Sequence, residues 1–498
     1  MRVSVGIGVT VLMLGLLFPV AARAQDDDTK AELEALKKRV AELEKKANES
    51  NNPDDSLRKA VERISEPGGL GVKWNNGLWF ETDDKAFSIH VGATLQYDFE
   101  WFHTGSGIQK YKAPTMTSAL GNQADGDEAR RMRLLTNGTI YGNTFYMLEA
   151  DFAGRINAVQ SNVAAGKAAT ATPVTSDTVQ IARAYVGTTA LQPFATVTVG
   201  HLVEPFNLET VTNSNFNTFM ERSTTFAFTP QYQTGMLLSN AVCDQRATWA
   251  IGEFRTGNGN SSSTNQGFTQ ADSGYDTTAR VTGLPWYQDE KNGGTFGLLH
   301  LGAAGSMRYP TKATSLNFYS APEMHLASYF VNTAAIAGVH EYQLYDQEAA
   351  FVYGPFSAQG ECAQAEVTRT AGQKDVQFGA AYGFLSYFLT GEHRGYNKTN
   401  GCFDWVHPLH NLGSNKDGRY GWGAWELAAR YSYIDLNDGD IQGGRMADVT
   451  AGLNWYLNPN VRVMLNYVRS HLFDNLAPGK RIDGGDEDIF GVRFQVDL

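Results

Sequence analysis

Residues 87–102 alternate without a fault. Phe87, Ile89, Val91, Ala93, Leu95, Tyr97, Phe99 and Trp101 fall on one side of an extended chain, and Ser88, His90, Gly92, Thr94, Gln96, Asp98 and Glu100 on the other. Side chains on a strand change face with period two, so this strand has one apolar and one polar face. Its 16 residues are long for a globular strand, where about 5–6 is usual. A bilayer-crossing strand needs about 9–11 residues in the hydrocarbon. The polar face carries two acids and a histidine, and the apolar face ends in aromatics. This suits lipid on one side and water on the other. An edge strand of a soluble sandwich is the alternative that one strand alone leaves open.

The rest of the chain favours the membrane reading. Mean hydropathy is −0.32, and beyond the extreme N-terminus no apolar run is long enough for a spanning helix. Alternating barrel strands average to such mild hydrophilicity. The N-terminus reads as a secretory signal: Arg2, then the apolar stretch from Val3 to Val20, then Ala22-Arg23-Ala24 as a cleavage site. Cleavage near Gln25 removes two arginines and no acid, which moves the formal charge from −12 to −14. So acidic a chain does not suit nucleic acid. Net charge does not exclude a basic lumen, because long loops can carry the acids. Cys243, Cys362 and Cys402 have no CxxC spacing, so no metal or redox site is indicated, and one disulfide or three isolated thiols both fit.

Leu33, Leu36, Val40, Leu43 and Ala47 are spaced 3, 4, 3, 4 among charged residues. This is a short heptad seam, marginal alone and sensible where something larger holds chains together; a single solvated helix fits equally. Asn48 to Asp55 reads as a polar linker, followed by a short helical stretch near Leu57 to Ile64 that Glu66-Pro67-Gly68-Gly69 ends, and from Leu70 the texture becomes strands and turns. The expected organisation is a signal peptide (1–24), a periplasmic coiled-coil segment and linker (25–69), and a barrel (70–498). Hairpins are expected at 78–102 around Asp83-Asp84-Lys85, at 131–152 around Gly142-Asn143, at 179–201 around Gln192-Pro193, and at 449–467 around Asn458-Pro459-Asn460. The last strand places Phe490, Val492, Phe494, Val496 and Leu498 on one face. Long polar stretches such as 157–177 and 256–273 separate the hairpins. Short turns on one rim and long loops on the other are the outer-membrane pattern. The fold class expected is all-β, a transmembrane antiparallel barrel of about 16 strands, 14 to 18 being the admissible even range. Residues 230–345 are too weakly patterned for a firm count. Trp79, Trp101, Trp425 and Trp455 read as interface belt residues.

Several segments resemble the phosphate-selective porin O and P family. Arg130-Arg131-Met132-Arg133-Leu134 with Gly138 and Tyr141-Gly142 looks like its paired-arginine first segment, and residues 197–209, VTVGHLVEPFNLE, resemble its "VGxxxxPFxLE" segment. Phe219-Met220-Glu221-Arg222-Ser223, Tyr353-Gly354-Pro355-Phe356, residues 388–394 and the stretch from Trp425 to Asn460 follow in order. The resemblance covers nearly everything after Gly68. It implies a homotrimer of 16-stranded barrels in the outer membrane of a diderm bacterium, passing small anions such as phosphate by passive diffusion. Val203 stands where the family often has lysine, which speaks against phosphate selectivity. Leu498 stands where the terminal residue is usually aromatic.

An anion channel must replace part of the ion's hydration at several weak sites. Guanidinium suits phosphate, because it is always charged and its fork can pair two oxygens. On the strand around Met132 and Leu134, alternation puts Arg131 and Arg133 on the lumen face. Arg130 sits at the strand entry, and the family's paired arginines match Arg130 and Arg131. Arg183 and Arg222 complete the pore-lining set, with Arg280, Arg394 and Arg430 as further lumen candidates. The competing expectation is structural: arginines paired with acids across the lumen, with Glu149, Asp151, Glu204, Glu209 and Glu221 as partners. No HExxH, GxSxG, P-loop or dinucleotide motif is present, so no enzyme, metal or cofactor is expected. Two other functions fit the same chain: a weakly selective general or sugar porin, and an envelope tether in which residues 25–65 contact the cell wall.

Overall fold

The computed structural model describes residues 69–498, apart from loop residues 113–118, 154, 157–174, 177–178, 256–273, 291–293, 311–315, 371, 415–417, 419 and 478–479. The expected signal segment and heptad seam lie outside the described residues. Two short strands come first, β1 (Leu70–Trp74) and β2 (Leu78–Thr82). Sixteen barrel strands follow: β3 (Phe87–Thr104), β4 (Gly126–Ile140), β5 (Thr144–Asp151), β6 (Gln180–Thr188), β7 (Thr196–Val203), β8 (Tyr232–Val242), β9 (Ala247–Arg255), β10 (Tyr275–Gln288), β11 (Gly297–Arg308), β12 (Val339–Tyr353), β13 (Phe356–Arg369), β14 (Val376–Phe388), β15 (Ala424–Asp438), β16 (Ile441–Asn458), β17 (Val461–Leu472) and β18 (Gly485–Asp497).

Each barrel strand pairs antiparallel with the next, and β18 returns to β3 with Val496 opposite Leu95 and Glu487 opposite Thr104. Closure matters because an open sheet edge in lipid would leave backbone groups without partners. The ring ends where Leu498 and Ala93 exchange both backbone hydrogen bonds, at 2.8 and 3.0 Å. Past that point β2 takes over the same edge of β3, from Leu78 opposite Val91 to Glu81 opposite Ser88. The first hairpin thus continues the wall where the last strand stops.

The period-two pattern is realised with its apolar side outward. Leu134 is 56% exposed, Leu385 57% and Val449 51%, whereas Gln96, Asp98 and Glu100 on the opposite face of β3 are fully buried. A soluble sandwich would bury the first set and expose the second, so the arrangement excludes it. The hairpins expected from the sequence form, with Lys85 and Tyr141 at positive φ in their turns. Trp101 stands on the outward belt, 45% exposed, and Trp425 stacks on Trp455 with ring centroids 5.0 Å apart. Trp79 does not join them: it lies on the face of Lys73 and His90, stacked on the imidazole at 4.6 Å, because Leu78 and Phe80 hold the outward positions of β2. The three cysteines are free thiols.

Two further expectations are corrected. The rim of short turns carries one long connection, residues 389–423 between β14 and β15, with its own small hairpin of Gly395–Asn397 and Cys402–Asp404. The inward face of β3 is also not bathed in open water. Segments folded into the barrel cover it, and its carboxylates and amides bond to them.

Candidate pore lining

Among the described residues, the connections 204–231, 309–338 and 389–423 enter the lumen. Residues 204–231, between β7 and β8, make the largest insertion. Asn207 caps the short helix Leu208–Val211 by accepting from the Thr210 N–H at 3.0 Å. The segment is then tied to strands around the ring. Glu361 on β13 accepts the N–H groups of Leu208 and Glu209, both at 3.0 Å. The Asn215 amide donates to Thr94 on β3 at 2.9 Å, Arg462 on β17 donates to the carbonyls of Asn215 and Asn217 at 3.1 and 2.9 Å, and Asn454 on β16 donates to the Thr218 carbonyl at 2.8 Å.

Residues 309–338 enter from the same rim. The N–H groups of His325 and Leu326 donate to Glu100 at 3.2 and 3.0 Å, and the His325 imidazole meets Glu128 at 2.5 Å. Gly491 permits this approach, since a Cβ there would lie 2.7 Å from the Met324 methyl and 3.1 Å from that of Met220. Residues 389–423 enter from the opposite rim. Their Phe403 N–H donates to the Thr212 hydroxyl at 3.3 Å, and Trp405 packs on Phe216 at 4.9 Å. The two insertions from opposite ends therefore touch within the barrel.

Against this frame most inward arginines are ion-paired. Arg493 holds Asp98 with two bonds of 2.7 and 2.6 Å, and reaches Glu221 at 2.7 Å. Arg430 binds Glu323 at 2.5 Å and Glu209 at 3.1 Å. Arg280 binds Glu348 at 2.7 Å, and Arg308 binds Glu204 and Asp276, each at 3.0 Å. The five acids expected as partners all serve as such. Arg280 and Arg430 are thus wall ties, nearly without exposed surface.

The five arginines singled out in the sequence come together on one side of the lumen. Arg130 sits at a bulge in the pairing of β3 with β4, and forks onto Glu221 with bonds of 2.8 and 3.0 Å. Arg133 binds Asp151 at 2.8 Å and approaches Glu149 at 3.7 Å; Arg183 binds Glu149 at 2.6 Å. Arg222, beside Glu221 on the inserted segment, donates to the Glu209 carbonyl at 2.9 Å and covers Phe226 at 5.2 Å. Tyr232 lies within electrostatic reach of Arg133, Arg183 and Arg222, its hydroxyl 3.5 Å from Arg133. Arg131 donates to Gln96 at 2.6 Å, and its Nε is buried without a partner. Of the five, Arg130, Arg133 and Arg183 are held at ion-pair distance by Glu221, Glu149 and Asp151, whereas Arg131 and Arg222 have no carboxylate that close among the described residues.

Among the described residues, Arg131, Arg222, Arg394 and Arg462 have no carboxylate at ion-pair distance. Arg394 instead donates to Gln359 at 2.9 Å and lies over Phe403 at 3.4 Å. Arg308, Arg462 and Arg493 are inward residues that the sequence reading passed over. The signal was present: Arg462 lies between Val461 and Val463, and Arg493 between Val492 and Phe494, so period two alone puts both in the lumen.

A closed sixteen-strand barrel with an apolar exterior, and a polar interior crossed by inserted loops, defines an outer-membrane porin: a channel rather than an enzyme. The chain belongs to the phosphate-selective porin O and P family, whose model matches residues 104–498. It is 24% identical over 459 residues to Porin O of Pseudomonas aeruginosa, covering 85% of this chain and 92% of that protein. It is also 29% identical over 323 residues to an uncharacterized protein of Caulobacter vibrioides, an alignment spanning 61% of this chain and 59% of that relative. Among solved structures, an anion-selective porin from Comamonas acidovorans aligns with a TM-score of 0.47 at 12% identity, covering 83% of this chain and all of that one.

Proposed function

We propose that this porin is a homotrimeric channel for passive diffusion of small anions, phosphate-like oxyanions above all, with its N-terminus in the periplasm. The carrying observation is the cluster of Arg130, Arg131, Arg133, Arg183 and Arg222, in which Arg131 and Arg222 have no carboxylate at ion-pair distance among the described residues. A guanidinium without a carboxylate partner keeps donors for a passing oxyanion, whereas the pairs beside it fix the geometry and limit how tightly the ion is held. Small anions are the only partners this reading requires besides outer-membrane lipid. The kinship to Porin O supports phosphate, and the valine at 203 argues for weaker selectivity than the family motif carries.

The test is the zero-current potential of the purified porin in a planar bilayer across a KCl gradient, followed by phosphate addition. Anion preference, with partial block of chloride current by phosphate, is the expected result. The double variant Arg131→Ala/Arg222→Ala should lose most of both. Cation preference, or conductance indifferent to phosphate, would replace this reading with a general porin. The tether reading has its own assay: deleting residues 25–65 would weaken envelope integrity at unchanged conductance.

A further inference from the structure

A second group of charges lies away from the arginine cluster, where the helix Leu208–Val211 meets the wall. Asp346 and Glu348 are two residues apart on β12, and Glu361 on β13 is directly opposite Glu348. All three point inward and are at most 4% exposed. One carboxylate oxygen from each lies within 4.8 Å of the others. Like charges placed opposite each other across a ladder repel, and burial deepens the penalty. The neighbours answer part of it. Arg280 forks onto Glu348, and the Nε2 of His300 meets the same carboxylate at 2.9 Å. Glu361 accepts the helix N–H groups and the Tyr382 hydroxyl. Asp346 has nothing: neither of its oxygens has a hydrogen-bond partner among the described residues.

We infer that Asp346, Glu348 and Glu361 form a divalent-cation site, calcium-like in size, that fastens the inserted segment 204–231 to the barrel wall. With His300 neutral, three carboxylates against the single guanidinium of Arg280 leave two negative charges, which one dication balances. Oxygens around one calcium ion, each about 2.3–2.6 Å from it, lie no further apart than roughly 5 Å. The three oxygens, all within 4.8 Å of one another, fall inside that range. All-oxygen, acid-rich donors favour hard cations over transition metals. Gly302, opposite Glu348 on β11, leaves room for the group: a Cβ there would lie 2.2 Å from the Glu348 Oε1. Because Glu361 also holds the start of the helix, an ion here would order the segment that carries Arg222.

The test uses the full chain refolded in detergent free of lipopolysaccharide, which itself binds calcium. After chelator treatment and removal of the chelator, the protein is titrated with calcium chloride, bound metal is counted by mass spectrometry, and terbium luminescence is read with and without calcium. One calcium per chain, displacing terbium, is expected. Asp346→Asn should weaken binding by at least tenfold, while Asp440→Asn, at an exposed acid that pairs with Arg369, should leave it unchanged. Heat-modifiable mobility confirms that each variant has folded, and Glu361→Gln serves as the second variant. A wild-type barrel that takes up neither ion at millimolar concentration overturns the proposal. So does binding that persists in both folded site variants.

Discussion

Arg493 on β18 and Arg131 on β4 lie two strands apart around the barrel, both facing the lumen, and make opposite demands on it. Arg493 is buried and closes two ion pairs, so its loss strands Asp98 without a cation. Removing one partner of a buried pair costs about 3–5 kcal/mol. Arg493→Ala should therefore lower the unfolding free energy by that order, read as a fall in the urea midpoint of the barrel. Arg131 has only Gln96. Arg131→Ala removes a buried cation that no acid answers, so stability should hold or rise while the zero-current potential moves toward zero. Finding both variants equally destabilised would mean that Arg131 is structural. The sequence makes the inward direction of both residues legible, since Arg493 lies between Val492 and Phe494 and Arg131 alternates with Met132 and Leu134. It does not make their partners legible. Arg130 and Arg493 meet on Glu221, 91 and 272 residues away in the chain, and only barrel closure and loop insertion bring them there.

Among the elements, strands and tight hairpins are legible from the residues because a lipid-facing side chain must be apolar at every second position. The insertions are not, because they cover a polar wall with polar groups and leave no periodic trace. Residues 389–423 show this most clearly. Their Gly, Asn and His content reads as a loop, and nothing in it marks that Asn400 and Gly401 will offer their carbonyls to Arg280. The insertions nevertheless share one clamp. Arg430 binds Glu209 on segment 204–231 and Glu323 on segment 309–338, while Ser432 also donates to Glu323 at 2.5 Å. Arg430→Met keeps much of the volume and removes the charge. It should loosen both segments together, raising single-channel conductance and current noise without abolishing the barrel. Unchanged conductance would show that the remaining ties, such as Glu361 and Asn454, hold the segments unaided.

For the molecule as a whole, the chain's net charge of −12 and the two lumen guanidiniums without a carboxylate partner predict opposite permeation, and ionic strength separates them. The Debye length is about 3 Å at 1 M salt, 10 Å at 0.1 M and 30 Å at 0.01 M. An ion passing the arginine cluster meets Arg131 and Arg222 at close range, partly shielded from bulk salt by the wall. The acids of the rims act from further away and are the first to be screened. If the cluster sets selectivity, anion preference should be measurable at 0.1 M, grow as salt is lowered and fade toward 1 M. If the overall acidity sets it, lowering the salt should bring distant carboxylates into play and turn the channel toward cations. A series of zero-current potentials at a fixed concentration ratio, from 0.01 to 1 M KCl, decides between the two. The same series with Arg131→Ala/Arg222→Ala should show the low-salt shift toward cations, since the neutralised cluster then leaves only the acidic background.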